Sequence, residues 1–220
     1  MSDPRILDFR AQPWADALER AVLEHARAGG LIAMPTETVY GFGCIAETAA
    51  VQELLALKGR TAEKPFLVLI PDMGGARDLR WTSVAKELAE VFWPGALTLI
   101  LEDPEKSFPP GVRSPAGGVA VRVSPNPIAG WLVSALSVPM VSTSANLSGA
   151  PSALTALEAA KVGKAMGAGA DLWVLDGGNL ATSQPSTIVD CTGPTPLVVR
   201  AGAVPINRLR CVVPTIDEFA

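Results

Sequence analysis

The sequence has very little histidine and cysteine, which removes several kinds of active site. His25 is the one histidine in 220 residues. It lies in a predicted helix as a partly exposed residue, so a zinc site or a serine–histidine triad lacks its parts. The cysteines Cys44, Cys191 and Cys211 are far apart and form no C-x-x-C pair. This spacing indicates no metal site and no disulfide framework, and it favours a cytoplasmic protein.

Long apolar runs and excess positive charge are also missing. No apolar stretch approaches the ~18 residues of a membrane span, and the first ten residues hold no apolar signal-peptide core. We therefore expect no membrane partner. Acids outnumber bases by 22 to 18, whereas general nucleic-acid binders are usually basic. Any contact with RNA would have to be local.

The composition and the residue periodicity predict one compact α/β domain. Apolar residues make up 49% of the chain and charged residues 18%, which supports a substantial core. Helices and strands alternate early and strands dominate late, so we expect a mixed sheet with flanking helices. The segment 103–118, rich in Pro, Gly and Ser, is the expected mobile loop and a candidate lid. The pattern predicts helices at 14–28, 49–57, 83–92, 127–136 and 155–165, and strands at 31–34, 66–70, 96–101, 118–123, 139–144, 172–175, 186–190 and 196–200.

The usual phosphate-binding loops are absent. There is no G-x-x-x-x-G-K-[ST] motif, and the glycines around 163–171 form no complete G-x-G-x-x-G. A bound nucleotide would need side chains and scattered backbone amides. Three cations in "KGRTAEKP", Lys58, Arg60 and Lys64, either end a helix in solvent or surround a polyphosphate.

A second cluster combines a buried cation with many hydroxyl groups. In "GGVAVRV", Arg122 shares a strand face with Ala120 and Ser124. Burying it is costly without a partner, so it meets either a bound anion or an internal carboxylate. Turn capping does not readily explain all the hydroxyl and amide groups of "VPMVSTSANLSGAPS". These groups, with those of "QPSTIVD" and "VVRAGAV", suit a phosphate or a ribose.

Together these segments resemble the YrdC-like family, whose catalytic members are L-threonylcarbamoyladenylate synthases. The matching pieces, in the family's order, are "PTETVYGFGC", "KGR" followed by "KP", "WPGALTLIL", "VAVRV", "STSANLSG", "STIVD" and "VVRAGAV". The resemblance covers about residues 15–203 of a single domain at 1–220, with a short tail at 204–220. It implies an α/β sheet around a large concave, positively charged cavity.

The resemblance also implies an activity and its partners. L-threonine, bicarbonate and ATP would give threonylcarbamoyl-AMP and pyrophosphate, with Mg²⁺ accompanying ATP. A partner complex would then transfer the group to the adenosine beside the tRNA anticodon. Two alternatives remain: a non-catalytic RNA-binding module of the same fold, and a carbamoyl-transferring domain like those of hydrogenase-maturation proteins.

Residue by residue, the resemblance assigns two groups of ligands. Thr38, Arg122, the main chain near Ser142 and the Ser186 hydroxyl would bind threonine. The nucleotide would face Lys58, Arg60, Lys64, Ser144, Asn146, Ser152 and Arg200, with the backbone near Gly118, and Lys58 and Arg60 would be catalytic. Thr36 and Glu37 either touch ligand or shape the turn, and Tyr40 packs against ligand or core.

Three features depart from the family pattern or place the chain within it. Leu69 stands where some relatives carry a histidine, and "RAGAV" replaces the more usual R-P-G after Arg200. The sequence ends soon after Ala203, which resembles the short form of the family without its added C-terminal domain.

Overall fold

The computed structural model describes residues 2–218 as one sheet with flanking helices. A 3-10 turn spans Met73–Ala76. The strands are β1 (Arg5–Asp8), β2 (Leu31–Pro35), β3 (Tyr40–Ile45), β4 (Leu67–Leu69), β5 (Leu97–Glu102), β6 (Gly118–Arg122), β7 (Met140–Ser144), β8 (Leu172–Asp176), β9 (Thr187–Asp190), β10 (Leu197–Arg200) and β11 (Asp217–Glu218). The helices are α1 (Asp16–Arg27), α2 (Thr48–Lys58), α3 (Ser83–Phe92), α4 (Pro127–Leu136), α5 (Ala156–Ala165) and α6 (Ile206–Val212).

The sheet is mixed, which confirms the predicted fold class. Its strand order is β1-β8-β2-β3-β7-β4-β6-β5-β9-β10-β11. Parallel pairs such as β4/β6 and β5/β9 stand beside antiparallel pairs such as β3/β7 and β5/β6. Because β4, β6, β7 and β9 lie close together in this order, polar residues distant in sequence meet on one region of the sheet.

Local capping chemistry explains where several helices begin. Thr82 accepts a hydrogen bond from the Ala85 N–H, and Asn126 accepts from the N–H groups of the first turn of α4. Thr155 and Glu158 form a reciprocal capping box at α5. At the other end, Gly59 terminates α2 in the left-handed conformation that glycine tolerates best.

The structure adds three strands that the sequence pattern did not predict, β1, β3 and β11, of which β3 is the longest. The segment Tyr40–Ile45 forms β3, antiparallel to β2 and β7, and all six residues are buried. The two glycines of β3 argue against a strand, since glycine is unfavourable in strand interiors. They are needed because neighbouring backbone passes very close: a Cβ at Gly43 would lie 2.4 Å from the Val141 carbonyl oxygen. The segment 31–45 is therefore a β-hairpin.

The tail predicted beyond residue 203 folds onto the domain. Helix α6 packs against α3, and β11 pairs with β10. The core side of this segment consists of Leu209, Val213 and Ile216, none more than 3% exposed. It therefore extends the hydrophobic core.

The predicted mobile loop at 103–118 has a buried anchor. The Asp103 carboxylate is fully buried. It accepts hydrogen bonds from the N–H groups of Ser107 (2.9 Å) and Phe108 (3.1 Å), and it lies 3.5 Å from Arg113 Nε. These contacts fix the loop to the end of β5.

The close approach at β3 predicts a large effect from a small substitution. Gly43→Ala should lower the free energy of unfolding by about 1–3 kcal/mol, because the added methyl group forces backbone apart in a packed sheet. Gly130→Ala in α4 is the matched control. A Cβ at Gly130 would lie 4.0 Å from its nearest neighbour, the Ser124 carbonyl oxygen, so the added methyl group has room. Urea midpoints measure both variants. Equal stability of Gly43→Ala and wild type would contradict the packing described here.

Candidate active site

A cavity of about 580 Å³ collects most of the polar residues singled out from the sequence. It is lined by β4, β6, β7 and β9, by the turn between β2 and β3, and by Arg200 at the end of β10. Of the predicted site residues, those that line it are Thr38, Arg60, Arg122, Ser142, Ser144, Ser152, Ser186 and Arg200. The four that do not are Lys58, Lys64, Gly118 and Asn146.

Arg122 is a buried cation at the wall of this cavity. Only 4% of it is exposed, and its buried Nε has no hydrogen-bond partner among residues 2–218. Burial lowers the pKa of the guanidinium, and the negative charge of Glu37 partly opposes that effect. A buried donor without an acceptor is costly, so the side chain is suited to an anionic ligand in the cavity.

Glu37 supplies the internal carboxylate that the sequence left as an alternative. Its Oε1 lies 3.2 Å from Arg122 Nη1, and its Oε2 accepts a 2.6 Å hydrogen bond from the Ser124 hydroxyl. Oε1 is buried and accepts no hydrogen bond from the part of the chain that the structure describes. Arg122 therefore has an ion-pair partner and still lines the cavity, so the pair does not exclude a ligand.

The turn between β2 and β3 holds two buried threonines at the cavity. The Thr36 hydroxyl donates to the Val39 carbonyl at 2.8 Å and accepts from the Thr38 N–H at 3.3 Å. It also lies 3.1 Å from the Thr38 hydroxyl. Thr36 thus shapes the turn, and both side chains reach the lining. The polar residues at 36–38, which follow β2, therefore form the tip of the β2–β3 hairpin, and this tip borders the cavity.

Tyr40 belongs to the core, which resolves the alternatives open for it. Its side chain is fully buried, its hydroxyl donates to the Gly178 carbonyl at 2.7 Å, and it accepts from the Gly177 N–H at 3.1 Å. Burial raises the pKa of this phenol to about 12. The residue ties β3 to the segment after β8.

Arg200 and Ser186 are joined directly. Arg200 Nε and Nη2 donate to the Ser186 carbonyl at 3.0 and 2.8 Å, and Nη2 also donates to the Ser186 hydroxyl at 3.0 Å. Burial lowers the pKa of Arg200, and the positive charge of Arg122 lowers it further. The guanidinium groups of Arg122 and Arg200 therefore line the same cavity, and their positive charges favour anionic ligands there.

Lys58 lies behind the cavity wall and holds the end of β7. Its Nζ donates to the carbonyl oxygens of Ser144 (3.0 Å) and Asn146 (2.7 Å) and to Asn146 Oδ1 (3.1 Å). The Ser144 hydroxyl donates to the same Oδ1 at 2.7 Å. Lys58 thereby fixes the loop that carries two predicted nucleotide ligands. Burial, together with the charge of Arg60, lowers its pKa to about 8.

The other predicted nucleotide ligands divide into two sets. Arg60 lines the cavity and lies over the ring of Phe66, 5.1 Å from its centroid. Burial lowers its pKa. Lys64 is exposed outside the lining. The N–H and carbonyl of Gly118 are both hydrogen-bonded to Ser114, so this backbone is already engaged.

The structure places further polar residues at or beside the cavity that no sequence motif indicated. Thr182, Ser183 and Pro185, from the irregular segment between β8 and β9, line the cavity, and the Ser183 hydroxyl donates to the Thr38 carbonyl at 3.1 Å. Thr98, fully buried in β5, lies 2.9 Å from the Ser186 hydroxyl. A polar residue among the leucines of "LTLIL" was the available signal. The candidate lid at 103–118 does not border this cavity.

A second, more open cavity of about 650 Å³ lies between the start of α2 and the loop that Asp103 anchors. Arg113 and Phe108 line it together with Glu47 and Glu63. Its charges are mixed, and Arg113 already pairs with Asp103. The smaller cavity is the better candidate because it concentrates cations and buried hydroxyl groups.

Within residues 2–218, no helix is long and apolar enough to cross a membrane. The same residues contain no group of three or more His, Cys, Asp or Glu side chains that is placed to hold a metal ion.

Comparison with known proteins gives a family match over most of the chain. The Sua5/YciO/YrdC family model, which carries the description Telomere recombination, matches residues 24–202. The threonylcarbamoyl-AMP synthase of Bacillus subtilis is 35% identical over 190 residues, covering 85% of this chain and 54% of its own length. The chain thus spans about half of that relative. The threonylcarbamoyl-AMP synthase of Nitrosococcus oceani is 37% identical over 167 residues, 74% of this chain and 88% of its own length.

A solved structure agrees with these matches. Pyrococcus abyssi Sua5 complexed with L-threonine superposes with a TM-score of 0.86 at 30% identity. The superposition covers 98% of this chain and 62% of that one. The fold described above is therefore that of Sua5 over the shared part.

The burial of Lys58 predicts a pH-dependent stability. The folded protein releases this proton near pH 8, whereas the unfolded chain keeps it to about pH 10.5. Between these values the unfolded state binds more protons, so stability rises with pH. The difference in unfolding free energy between wild type and Lys58→Met should therefore grow in favour of wild type from pH 8 to 10. Denaturant titrations at each pH measure it, and a constant difference would exclude the shift.

Proposed function

Because the chain belongs to the Sua5/YciO/YrdC family, we propose that it is an L-threonylcarbamoyladenylate synthase. The reaction joins L-threonine, bicarbonate and ATP to give threonylcarbamoyl-AMP and pyrophosphate. The similarity to threonylcarbamoyl-AMP synthases of Bacillus subtilis and Nitrosococcus oceani supports this activity over a non-catalytic RNA-binding module. The cavity supports it too, since it is polar, cationic and of small-molecule size.

One observation carries the proposal: Arg122 is a buried guanidinium at the cavity, and no described residue accepts a hydrogen bond from its Nε. A planar carboxylate is the natural partner of such a fork. We assign the carboxylate of threonine to Arg122, and place Thr38, the main chain near Ser142 and the Ser186 hydroxyl around the rest of the amino acid. Pyrococcus abyssi Sua5, a relative of this chain, is known in complex with L-threonine.

The nucleotide would occupy the adjoining part of the cavity. Arg60, Ser144, Ser152 and Arg200 line it, and they offer cationic or hydroxyl groups for phosphates and ribose. Lys58 and Asn146 would act through the loop that they hold in place. Lys64 and the backbone near Gly118, which lie outside the lining, remain predictions.

The chemistry then needs positioning and charge neutralisation. Bicarbonate takes up a proton and loses water to give CO₂. The free amine of threonine attacks the carbon of CO₂, one C–O π bond breaks, and the nitrogen releases a proton, which leaves a carbamate. A carbamate oxygen next attacks the α-phosphorus of ATP, and the bond to the β-phosphate oxygen breaks to release pyrophosphate. Arg60, which lines the cavity, would stabilise the negative charge that grows on the phosphates. Lys58, predicted to be catalytic, would act indirectly by fixing the loop that carries Ser144 and Asn146.

Magnesium would enter with ATP. Mg²⁺ prefers oxygen ligands, above all carboxylates and phosphates. Among the described residues, the cavity lining contains no carboxylate, so the donor set does not fit a protein-bound magnesium. We assign the ion to the triphosphate and derive no step from a protein metal site.

The remaining partners follow from the proposed product. A tRNA-modifying complex would carry the threonylcarbamoyl group to the adenosine beside the anticodon. We place the reaction in the cytoplasm, with support from three cysteines that form no disulfide: Cys44, Cys191 and Cys211.

The direct test is pyrophosphate release from ATP by purified protein. We expect release only when L-threonine and bicarbonate are both present, and slower release with L-serine in place of threonine. Omitting each substrate in turn provides the controls. ATP binding without any release would overturn the synthase function and leave an adenosine-nucleotide binding module.

The role of Arg122 predicts a specific kinetic defect. Arg122→Gln should raise the KM for threonine by about 100-fold or more, since charge-assisted hydrogen bonds contribute about 1.5–3 kcal/mol each and about 1.4 kcal/mol is tenfold. Arg122→Lys keeps the charge but loses the planar fork, so its KM for threonine should lie between those of wild type and Arg122→Gln. Steady-state kinetics measure both variants.

Arg113→Gln is the matched control for those variants. Arg113 is also partly buried beside a carboxylate, but it lines the second cavity. Its substitution should leave the KM for threonine unchanged. An equal rise in KM for Arg113→Gln and Arg122→Gln would remove Arg122 from the threonine site.

A further inference from the structure

Thr98 is a buried polar residue that the proposed site does not yet use. It lies in β5 between Leu97 and Leu99 and is 0% exposed. Strand β5 runs parallel to β9 with Thr98 opposite Ile188. This register brings the Thr98 hydroxyl to 2.9 Å from the hydroxyl of Ser186, at the start of β9.

The direction of this hydrogen bond follows from where the protons can go. A hydroxyl group has one proton and two acceptor lone pairs. Within residues 2–218, the Ser186 hydroxyl is the one partner of the Thr98 hydroxyl. If Ser186 donated to Thr98, the Thr98 proton would be buried without an acceptor, which is unfavourable. Thr98 is therefore the donor.

Arg200 occupies the other lone pair of Ser186. A guanidinium is only ever a donor, and Arg200 Nη2 lies 3.0 Å from the Ser186 hydroxyl oxygen. With Thr98 and Arg200 both donating, the Ser186 oxygen accepts two hydrogen bonds. Its own proton is then free, and Ser186 lines the cavity.

We propose that Thr98 is a positioning residue that makes the Ser186 hydroxyl a hydrogen-bond donor to an oxygen of the amino-acid substrate. This inference rests on the proposed function, since it assumes that the cavity holds threonine. It assigns a direction to one hydrogen bond of that site: Ser186 donates to a carboxylate or carbamate oxygen of the substrate and does not accept from the ammonium group of threonine. Thr98 acts through Ser186 and does not touch the substrate.

The test compares Thr98→Val with Thr98→Ser in calorimetric titrations with L-threonine and in pyrophosphate-release kinetics. Valine keeps the branched shape and removes the donor, so the Kd and KM for threonine should rise by about three- to tenfold, as for one lost hydrogen bond. Serine keeps the donor and should restore both values to within about twofold. Thr98→Ala is the substitute if Thr98→Val does not fold.

Two controls separate positioning from a loss of packing. Thr187→Val removes another buried hydroxyl of the same region, one that donates to the Val204 carbonyl at 2.7 Å, outside the lining. It should leave threonine binding unchanged. In a Ser186→Ala background, Thr98→Val should cause no further loss of affinity, because Thr98 then has no hydroxyl to orient.

The outcomes distinguish the two proposals. Wild type that binds threonine, a weakened Thr98→Val and a restored Thr98→Ser support the positioning role. Binding by Thr98→Val equal to wild type overturns that role and leaves the synthase function standing, as does a further loss in the Ser186→Ala background. Failure of wild type to bind threonine overturns the proposed function and this inference with it.

Discussion

The site depends on keeping one guanidinium charged inside a β-sheet. Arg122 is 4% exposed, yet it faces a carboxylate at 3.2 Å and a cavity large enough for a ligand. A buried charge is tolerated only when it is paired and hydrogen-bonded. Glu37 satisfies the first need, but Arg122 Nε has no hydrogen-bond acceptor within residues 2–218, so the side chain is suited to an anionic ligand.

The sheet order explains how these groups come together. The hairpin tip at 36–39, the end of β6, the end of β7 and the start of β9 are distant in sequence, but their strands lie near one another. Glycine in β3 allows the chains to approach, and the caps of α4 and α5 set where the following helices begin. The hydroxyl groups are thus presented by rigid elements, which favours precise binding.

Much of this arrangement was predictable from local pattern, and the failures have physical causes. Strand alternation placed Arg122 on one face with Ala120 and Ser124, and the cost of burying its charge predicted an anionic partner, which the structure supplies in Glu37. Local pattern did not predict β3 because it contains Gly41 and Gly43. Glycine is required there by the close approach of β7, which is a tertiary contact that local propensity does not encode. Thr98 was missed because its partner, Ser186, is far along the chain, and the lining segment at 182–185 has no periodicity to detect.

The three hydrogen bonds of Lys58 have a consequence for chemical self-protection. The proposed product is a mixed carbamic–phosphoric anhydride, a reagent that acylates free amines, and a lysine with a pKa of about 8 is a target for it at neutral pH. The Lys58 ammonium group donates three hydrogen bonds, to the Ser144 and Asn146 carbonyl oxygens and to Asn146 Oδ1, which use all three of its protons. While they do so, the nitrogen has no lone pair to attack with. The same contacts that fix the loop therefore shield an enzyme of this kind from modification by what it makes.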